Sequence, residues 1–517
     1  MIRPRGADLS IASGLREFRR ATPQAEAVID GDRRLTFRAL DERANRFAQA
    51  LLATGMVPGD RIAVLAANRL EYVEIIGGVA KAGMVLVPLN PRLTASEIAY
   101  LLDHSQARVL VTDDDGYDDA AEVLEARRDL VVFTIGGRGG RDYESAIDAA
   151  NASDPWIDVA ETEPFCLLYT SGTTGRPKGS LISHRSRVLT FYLGALEWGL
   201  GPGARTLAVA PFYHGAGLAF GYGAVFTGAT CTVLRKWDPE HFLDALKSER
   251  ATSVFLVPTH AQTLRTLGED RLASLDIPDL KTIYFNAAPL PQTLKEWVLD
   301  SLPEVGLHEL YGSTEAGIVS DLRPADARRK VNCVGLPWFM TQIRVVDSQG
   351  ETVEGEGIGE LFSRSPFLMS GYLDDDEATM ACTTDDGYLS AGDVVRVDDE
   401  GYLYVIDRTK DLIITGGVNV YPREVENVLS RHTAVDDVAV VGGPSKQWGE
   451  QVVAFVVLRH GAHVSPEELD QQASTELATY KRPRRYEYVS ELPKNAAGKT
   501  LKRELRERLS RAADMQE

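Results

Sequence analysis

The segment that most narrows the fold is Tyr169-Thr170-Ser171-Gly172-Thr173-Thr174-Gly175-Arg176-Pro177-Lys178-Gly179, which directly follows the apolar run Phe165-Cys166-Leu167-Leu168. A short strand that empties into glycines and hydroxyls lets successive backbone N–H groups converge on phosphate oxygens. Thr170, Ser171, Thr173 and Thr174 add hydroxyl donors, Gly172 and Gly175 free the turn, and Lys178 adds charge. A Walker loop needs Gly before its Lys and Ser or Thr after it. Here those places hold Pro177 and Gly179, which excludes that loop.

On either side of this segment the chain alternates between two periods. Apolar residues at helical spacing predict helices over 40–52 and 72–82, and short apolar runs predict strands over 60–65 and 85–88. That alternation points to α/β architecture with parallel layers. Residues 113–119 carry a cluster of Asp and are expected to form a solvated surface loop. Beyond residue 400 the units shorten, with strands expected over 412–415, 438–441 and 451–458 and helices over 422–430, 466–477 and 500–509. Pro422 suits a first helical position, where its missing N–H costs nothing. The expected organisation is a large N-terminal domain of layered sheets and helices, 1–408, and a small mobile α+β domain, 411–517. The latter is about a hundred residues, an ordinary domain size.

Charge removes several classes of function. The 517 residues include 75 acidic and 56 basic ones, for a formal charge of -19, which argues against nucleic acid or anionic lipid as partner. An anionic ligand must therefore meet local positive charge. Cys166, Cys231, Cys333 and Cys382 form no CxxC pair and read as reduced, buried thiols of a cytoplasmic protein. The basic N-terminus leads into no apolar h-region, so no signal peptide is expected. Residues 206–234 lack charge over a length that could span a bilayer. Pro211, His214 and five glycines interrupt them, so they are expected to be buried core around a pocket, not a transmembrane segment.

The phosphate-loop segment, with its Gly-Arg-Pro-Lys-Gly ending, resembles that of the adenylate-forming superfamily, which includes acyl-CoA synthetases, aryl-CoA ligases, peptide-synthetase adenylation domains and firefly luciferase. Further motifs follow in the family's order: Leu86 to Pro91, Pro211-Phe212-Tyr213-His214-Gly215, Tyr311-Gly312-Ser313-Thr314-Glu315-Ala316-Gly317, Gly387 to Asp393, Asp407-Arg408-Thr409-Lys410-Asp411, and Lys494 to Lys499. The resemblance covers nearly the whole chain. It implies ATP, Mg²⁺ and CoA as cosubstrates and cofactor, and a small carboxylic acid as substrate.

The resemblance also implies roles. His214 closes over the substrate carboxylate. Glu315 binds Mg²⁺, a hard cation that prefers carboxylate and phosphate oxygens, and Thr314 donates to the α-phosphate. Tyr311 and Gly312 line one wall of the adenine slot, and Asn286-Ala287-Ala288-Pro289 the other. Many relatives have glycines where Asn286 and Ala287 stand. Asp393 and Arg408 serve the ribose, and Lys499 bridges carboxylate and α-phosphate. Lys410 is the hinge, with 409–410 as the boundary, and Gly416-Gly417 line the CoA tunnel. Both reactants of the first step are anions, so the site has to offset repulsion and align the attack.

The leading reading is an AMP-forming acid–CoA ligase. The alternatives are an acyl-AMP ligase that loads a carrier protein, a luciferase-like oxygenase, and a non-catalytic nucleotide binder, which would be expected to lack Lys499 or Glu315. By resemblance the acid pocket is lined by residues 213–222, 257–259, 287–288 and 312–319, which are largely apolar and suit a fatty or aryl tail. These segments contain no Arg or Lys, so a second carboxylate, as in malonate, is expected to be excluded. The sequence leaves a homodimer open.

Overall fold

A computed structural model describes residues 8–170, 177–408, 411–415, 418–445, 448–494 and 500–514. It divides into two compact units, Met1–Gln342 with Ser363–Leu389, and Ile343–Phe362 with Ser390–Glu517. The fold is mixed α/β, with a large N-terminal unit and a smaller one that carries the C-terminus. The expected rotation point at 409–410 falls within the sequence span of the second unit.

The first unit holds two sheets. One runs, in spatial order, Leu336–Pro337, Gly317–Leu322, Gly306–Ser313, Thr282–Phe285, Ser253–Leu256, Arg205–Ala208, Thr230–Val233, Glu26–Asp30 and Arg33–Thr36. Its interior pairs are parallel and only its ends are antiparallel. The other runs Gly371–Tyr372, Lys178–Ser183, Pro164–Thr170, Val85–Leu89, Arg61–Leu65, Val109–Asp113, Val131–Ile135 and Arg141–Asp142. It is parallel from Pro164–Thr170 onward and antiparallel at Lys178–Ser183 and Gly371–Tyr372. Strands buried on both faces read as unbroken apolar runs, and every residue of Val85–Leu89 is buried.

The expected helices form as Phe37–Ala53 and Leu70–Lys81, whose packing buries Lys81 completely. Asp41 and Asp154 each lie 2.6 Å from its Nζ. The acidic stretch is not a loop. Asp114–Asp119 is a short helix, because the Asp113 side chain accepts from Gly116 N and satisfies an orphan donor at its start. Residues 206–234 form two buried strands joined by helical turns, including a π-turn at Leu218–Tyr222. Among the described residues, no helix is long and apolar enough to cross a membrane. Cys166, Cys231 and Cys333 are free and buried; Cys382, also free, is only half-buried.

The second unit has a four-stranded sheet, Gln342–Val346, Gly357–Arg364, Leu389–Val397 and Leu403–Arg408. It also has a five-stranded one, ordered Val418–Val420, Ile413–Thr415, Gly449–Leu458 and Val435–Ser445, with Arg485–Tyr488 alongside Gly449–Leu458. Helix Lys502–Asp514 seals one face of the latter through Leu505 and Leu509, packed with Val441, Val453 and Phe455. Pro422–Leu429 and Pro466–Glu476 start on proline, as expected for Pro422.

Candidate active site

The phosphate-loop segment connects two antiparallel strands, with Thr170 opposite Lys178 and Tyr169 opposite Gly179. Ser171, Gly172, Thr173, Thr174 and Gly175 lie outside the described residues. The base of the connection is braced by one helix, Ala95–Ser105. From it, His104 Nδ1 meets Tyr169 Oη at 2.9 Å, and Tyr100 Oη donates to the Pro177 carbonyl at 3.3 Å. Residues i and i+4 of a helix share a face, so a single face reaches both sides of the connection. Lys178 pairs with Asp375 at 3.3 Å and lies over the Tyr372 ring.

Thr314 and Glu315 occupy the tight turn between Gly306–Ser313 and Gly317–Leu322. A Cβ on Gly312 would stand 2.0 Å from the Gly317 carbonyl oxygen, so only glycine permits this crossing, beside the irregularity at Tyr311/Gly312. The Glu315 carboxylate is held. Its Oε1 accepts from Thr170 Oγ1 and from Tyr372 Oη, each at 3.1 Å, while its backbone carbonyl accepts from Met369 N. Two hydroxyl donors fix the orientation of a hard oxygen ligand, and this donor set fits Mg²⁺.

Asn286 to Pro289 follow strand Thr282–Phe285, whose parallel neighbour is Gly306–Ser313. The two expected walls of the adenine slot therefore leave adjacent strands on the same side, where open α/β sheets bind ligands. Ala287 holds φ at 74°, a left-handed conformation that costs a residue with a Cβ roughly 1–2 kcal/mol. The Asn286 side chain supports it by accepting from Ala287 N.

His214 stands at the start of the short helix Gly215–Gly217. Asn68 fixes the approach, accepting from Phe212 N at 2.8 Å and donating to the Ala210 carbonyl at 2.9 Å. A Cβ on Gly217 would stand 1.9 Å from the Pro211 carbonyl oxygen, so this turn too requires glycine. Burial holds the His214 imidazole below its ordinary pKa, hence neutral at pH 7. Its Nε2 is buried and has no partner among the described residues. An orphaned buried polar atom is costly and suits a site that awaits a ligand.

Arg187 arrives from helix His184–Trp198, outside the segments expected to line the pocket, and lies against the Gly215 turn beside His214. Asn68, Tyr100, His104, Arg187 and Tyr372 were all missed by sequence reasoning. Each acts on a residue far away in the chain, so no local pattern marks it.

In the second unit, Asp393 and Arg408 are direct cross-strand neighbours, with Arg408 Nε 3.0 Å from Asp393 Oδ1. Fifteen positions apart in sequence, they meet because strands Leu389–Val397 and Leu403–Arg408 pair. Lys410, Gly416, Gly417 and Lys499 lie outside the described residues. The loop bearing Lys499 is closed at its base by the Lys494–Thr500 bridge and by Leu501 N on the Pro493 carbonyl at 2.8 Å.

The AMP-binding enzyme family matches residues 15–373, and the AMP-binding enzyme C-terminal domain matches residues 424–499. A feruloyl-CoA synthase from Amycolatopsis sp is 36% identical over 491 residues, covering 95% of this chain and 97% of the relative. A fatty acid–[acyl-carrier-protein] ligase, ScoC of Streptomyces coeruleorubidus, is 34% identical and covers 94% of each chain. Among solved structures, ATP-bound MatB from Rhodopseudomonas palustris superposes with a TM-score of 0.90 at 29% identity, over 97% of this chain and 99% of that one. With the family matching well over half its length and a relative this similar end to end, the chain belongs to the AMP-binding enzyme family of adenylate-forming, acid-activating enzymes.

Proposed function

We propose that this chain is an AMP-forming acid–CoA ligase for an acid with an apolar body, aryl or fatty. The observation that carries the reading is the Glu315 turn. A carboxylate locked by Thr170 and Tyr372 projects from the family's magnesium motif, at the end of the strand pair that bears the phosphate loop. Relatives with acid–CoA ligase names support CoA as the acceptor.

In this reading the acid carboxylate attacks the α-phosphate of ATP and pyrophosphate leaves. The CoA thiolate then attacks the acyl carbonyl and AMP leaves. Glu315 would hold Mg²⁺, which would offset phosphate charge. His214, neutral because buried, presents Nε2 to a carboxylate oxygen, and Thr314 donates to the α-phosphate. Tyr311, with Asn286 to Pro289, encloses the adenine; Asp393 and Arg408 serve the ribose hydroxyls. Lys499 supplies the cation between the two reacting anions. Lys410 is the rotation point between the half-reactions, and Gly416 and Gly417 admit the CoA arm. Four free thiols favour a reducing, cytoplasmic setting.

The test is a screen of free acids by pyrophosphate release, with and without CoA, with products identified by mass. Acid-dependent pyrophosphate with an acyl-CoA product supports the reading. Transfer only to a carrier-protein phosphopantetheine, or oxygen uptake with the adenylate, replaces it by one of the alternatives.

A further inference from the structure

Asn45 and Asn68 are both buried in the first unit, at 2% and 5% exposure, and they are used differently. Asn45, on helix Phe37–Ala53, donates to Asp41 Oδ2 at 3.1 Å and to the Ala152 carbonyl at 3.0 Å. Its Oδ1 has no partner among the described residues. Asn68 uses both ends of its amide. Its Nδ2 donates to the Ala210 carbonyl at 2.9 Å and to that of Ala208 at 3.4 Å, and its Oδ1 accepts from Phe212 N at 2.8 Å. One backbone N–H and two carbonyls fix which end is which. Ionised Asp lacks the donor, Leu lacks both groups, and Gln carries them one methylene farther out.

The placement gives this side chain its reach. Asn68 follows strand Arg61–Leu65 of the eight-stranded sheet, and the residues it grips lie at and beyond the end of strand Arg205–Ala208 in the nine-stranded one. Its own loop is pinned from both sheets. Ala67 N donates to Asp113 Oδ2 at 3.3 Å and Leu70 N to Asp30 Oδ2 at 3.2 Å, each carboxylate standing at the end of its strand. The Phe212 ring is fully buried and packs on Tyr72, from the helix that follows Asn68, with 5.4 Å between centroids. Immediately beyond, His214 N donates to the Pro211 carbonyl at 3.0 Å and Leu218 N to the His214 carbonyl at 2.9 Å. These bonds carry the constraint from Asn68 into the turn that bears His214.

We propose that Asn68 is a positioning residue for acid activation, which sets where His214 presents its ring to the substrate carboxylate. This rests on the acid-activation reading above, in which His214 meets that carboxylate. Asn68 itself acts only through the backbone that it holds. A displacement of about 1 Å in a group that orients a reactant can cost about 10²-fold in rate, so loss of the tie is expected to show in turnover.

The experiment is a double-mutant cycle of Asn68→Ala and His214→Ala, with Asn45→Ala as the control for a buried amide lost elsewhere. With an acid that the wild type activates, Asn68→Ala is expected to lower kcat/KM for the acid by about 30-fold or more, with KM for ATP within about threefold. In the His214→Ala background the same change should cost less than about threefold, because no ring remains to be placed. Asn45→Ala should lower the thermal midpoint and leave both constants within about threefold. Full additivity in the cycle, a parallel rise of KM for ATP, or an equal loss in Asn45→Ala would overturn the role. Asn68→Asp, which keeps the shape and the bond from Phe212 N, takes the place of Asn68→Ala if that variant does not fold. The setting of His214 is also read without turnover, as the rate at which diethyl pyrocarbonate modifies it, followed by peptide mass. Faster modification in Asn68→Ala but not in Asn45→Ala supports the tie, and an unchanged rate overturns it. If no acid releases pyrophosphate while that rate still rises, the activation reading fails and the tie between Asn68 and His214 stands.

Discussion

Lys81 and Arg187 are both basic side chains taken out of water, and the fold treats them in opposite ways. Lys81 sits among helices, 0% exposed, between two carboxylates, of which Asp154 is also held by Arg16 at 2.7 Å and Asp41 by Arg19 at 3.2 Å. Arg187 sits under the His214 turn, 7% exposed, with no carboxylate among the described residues. The first arrangement has its charges balanced and joins segments far apart in sequence. The second has a hydrogen bond with the Cys166 thiol in place of an ion pair.

The largest expected effect falls on the paired side. Lys81→Met takes from Asp41 and Asp154 the buried cation they share, leaving Asp41 with Arg19 and Asp154 with Arg16. Breaking a buried pair by removing one partner costs about 3–5 kcal/mol, so chemical denaturation should show a loss of that size. A loss within experimental error would erase the distinction between the two cations. Lys499→Ala comes next. Removing one transition-state donor costs roughly 2.7–4 kcal/mol, or 10²–10³ in rate. Single-turnover assays should show that loss in adenylate formation, while a supplied acyl adenylate still passes to CoA. Equal losses in both steps would remove Lys499 from its role.

Tyr372→Phe takes one of two hydroxyls from Glu315 Oε1. A hydrogen bond to a charged group is worth about 1.5–3 kcal/mol. The Mg²⁺ concentration for half-maximal pyrophosphate release should therefore rise by about tenfold or more, with the thermal midpoint little changed. An unchanged Mg²⁺ requirement would show that Thr170 alone suffices.

The effect that is smallest at neutral pH, where it has not yet begun, concerns two buried histidines. Burial pushes His184 and His260 down to about 4, and each accepts a backbone N–H at Nδ1, from Ile11 and Val257. The unfolded chain binds these protons near pH 6.5, and the folded one only near 4. Their contribution to stability is therefore complete above pH 6.5 and is lost as pH falls toward 4, at about 1.4 kcal/mol per pH unit for each proton. Denaturation midpoints between pH 7 and 4.5 measure this. His184→Gln should flatten the slope; a slope of the opposite sign would contradict the assignment.

Much of this molecule is legible in its sequence because parallel strands buried on both faces need unbroken apolar runs. The expected strand over 85–88 is found as Val85–Leu89, and the expected helix over 422–430 as Pro422–Leu429. The acidic stretch misleads because composition hides one capping bond from Asp113. Arg187 is illegible for a geometric reason. In His184-Arg185-Ser186-Arg187, two arginines two residues apart face opposite ways on a helix. Arg185 reaches solvent and pairs with Glu161, whereas Arg187 turns inward. Tyr372 and Glu315 are 57 residues apart, and Asn68 and Phe212 are 144 apart. No local pattern carries contacts of that range.

The central claim is that the substrate carboxylate attacks the α-phosphate of ATP. Supplying an active acid labelled with ¹⁸O in its carboxylate, together with ATP and CoA, follows the bond directly. An acyl adenylate broken by the CoA thiol leaves one carboxylate oxygen on the phosphate, so AMP should carry one ¹⁸O and pyrophosphate none. Label in inorganic phosphate or pyrophosphate, or ADP in place of AMP, would contradict the account.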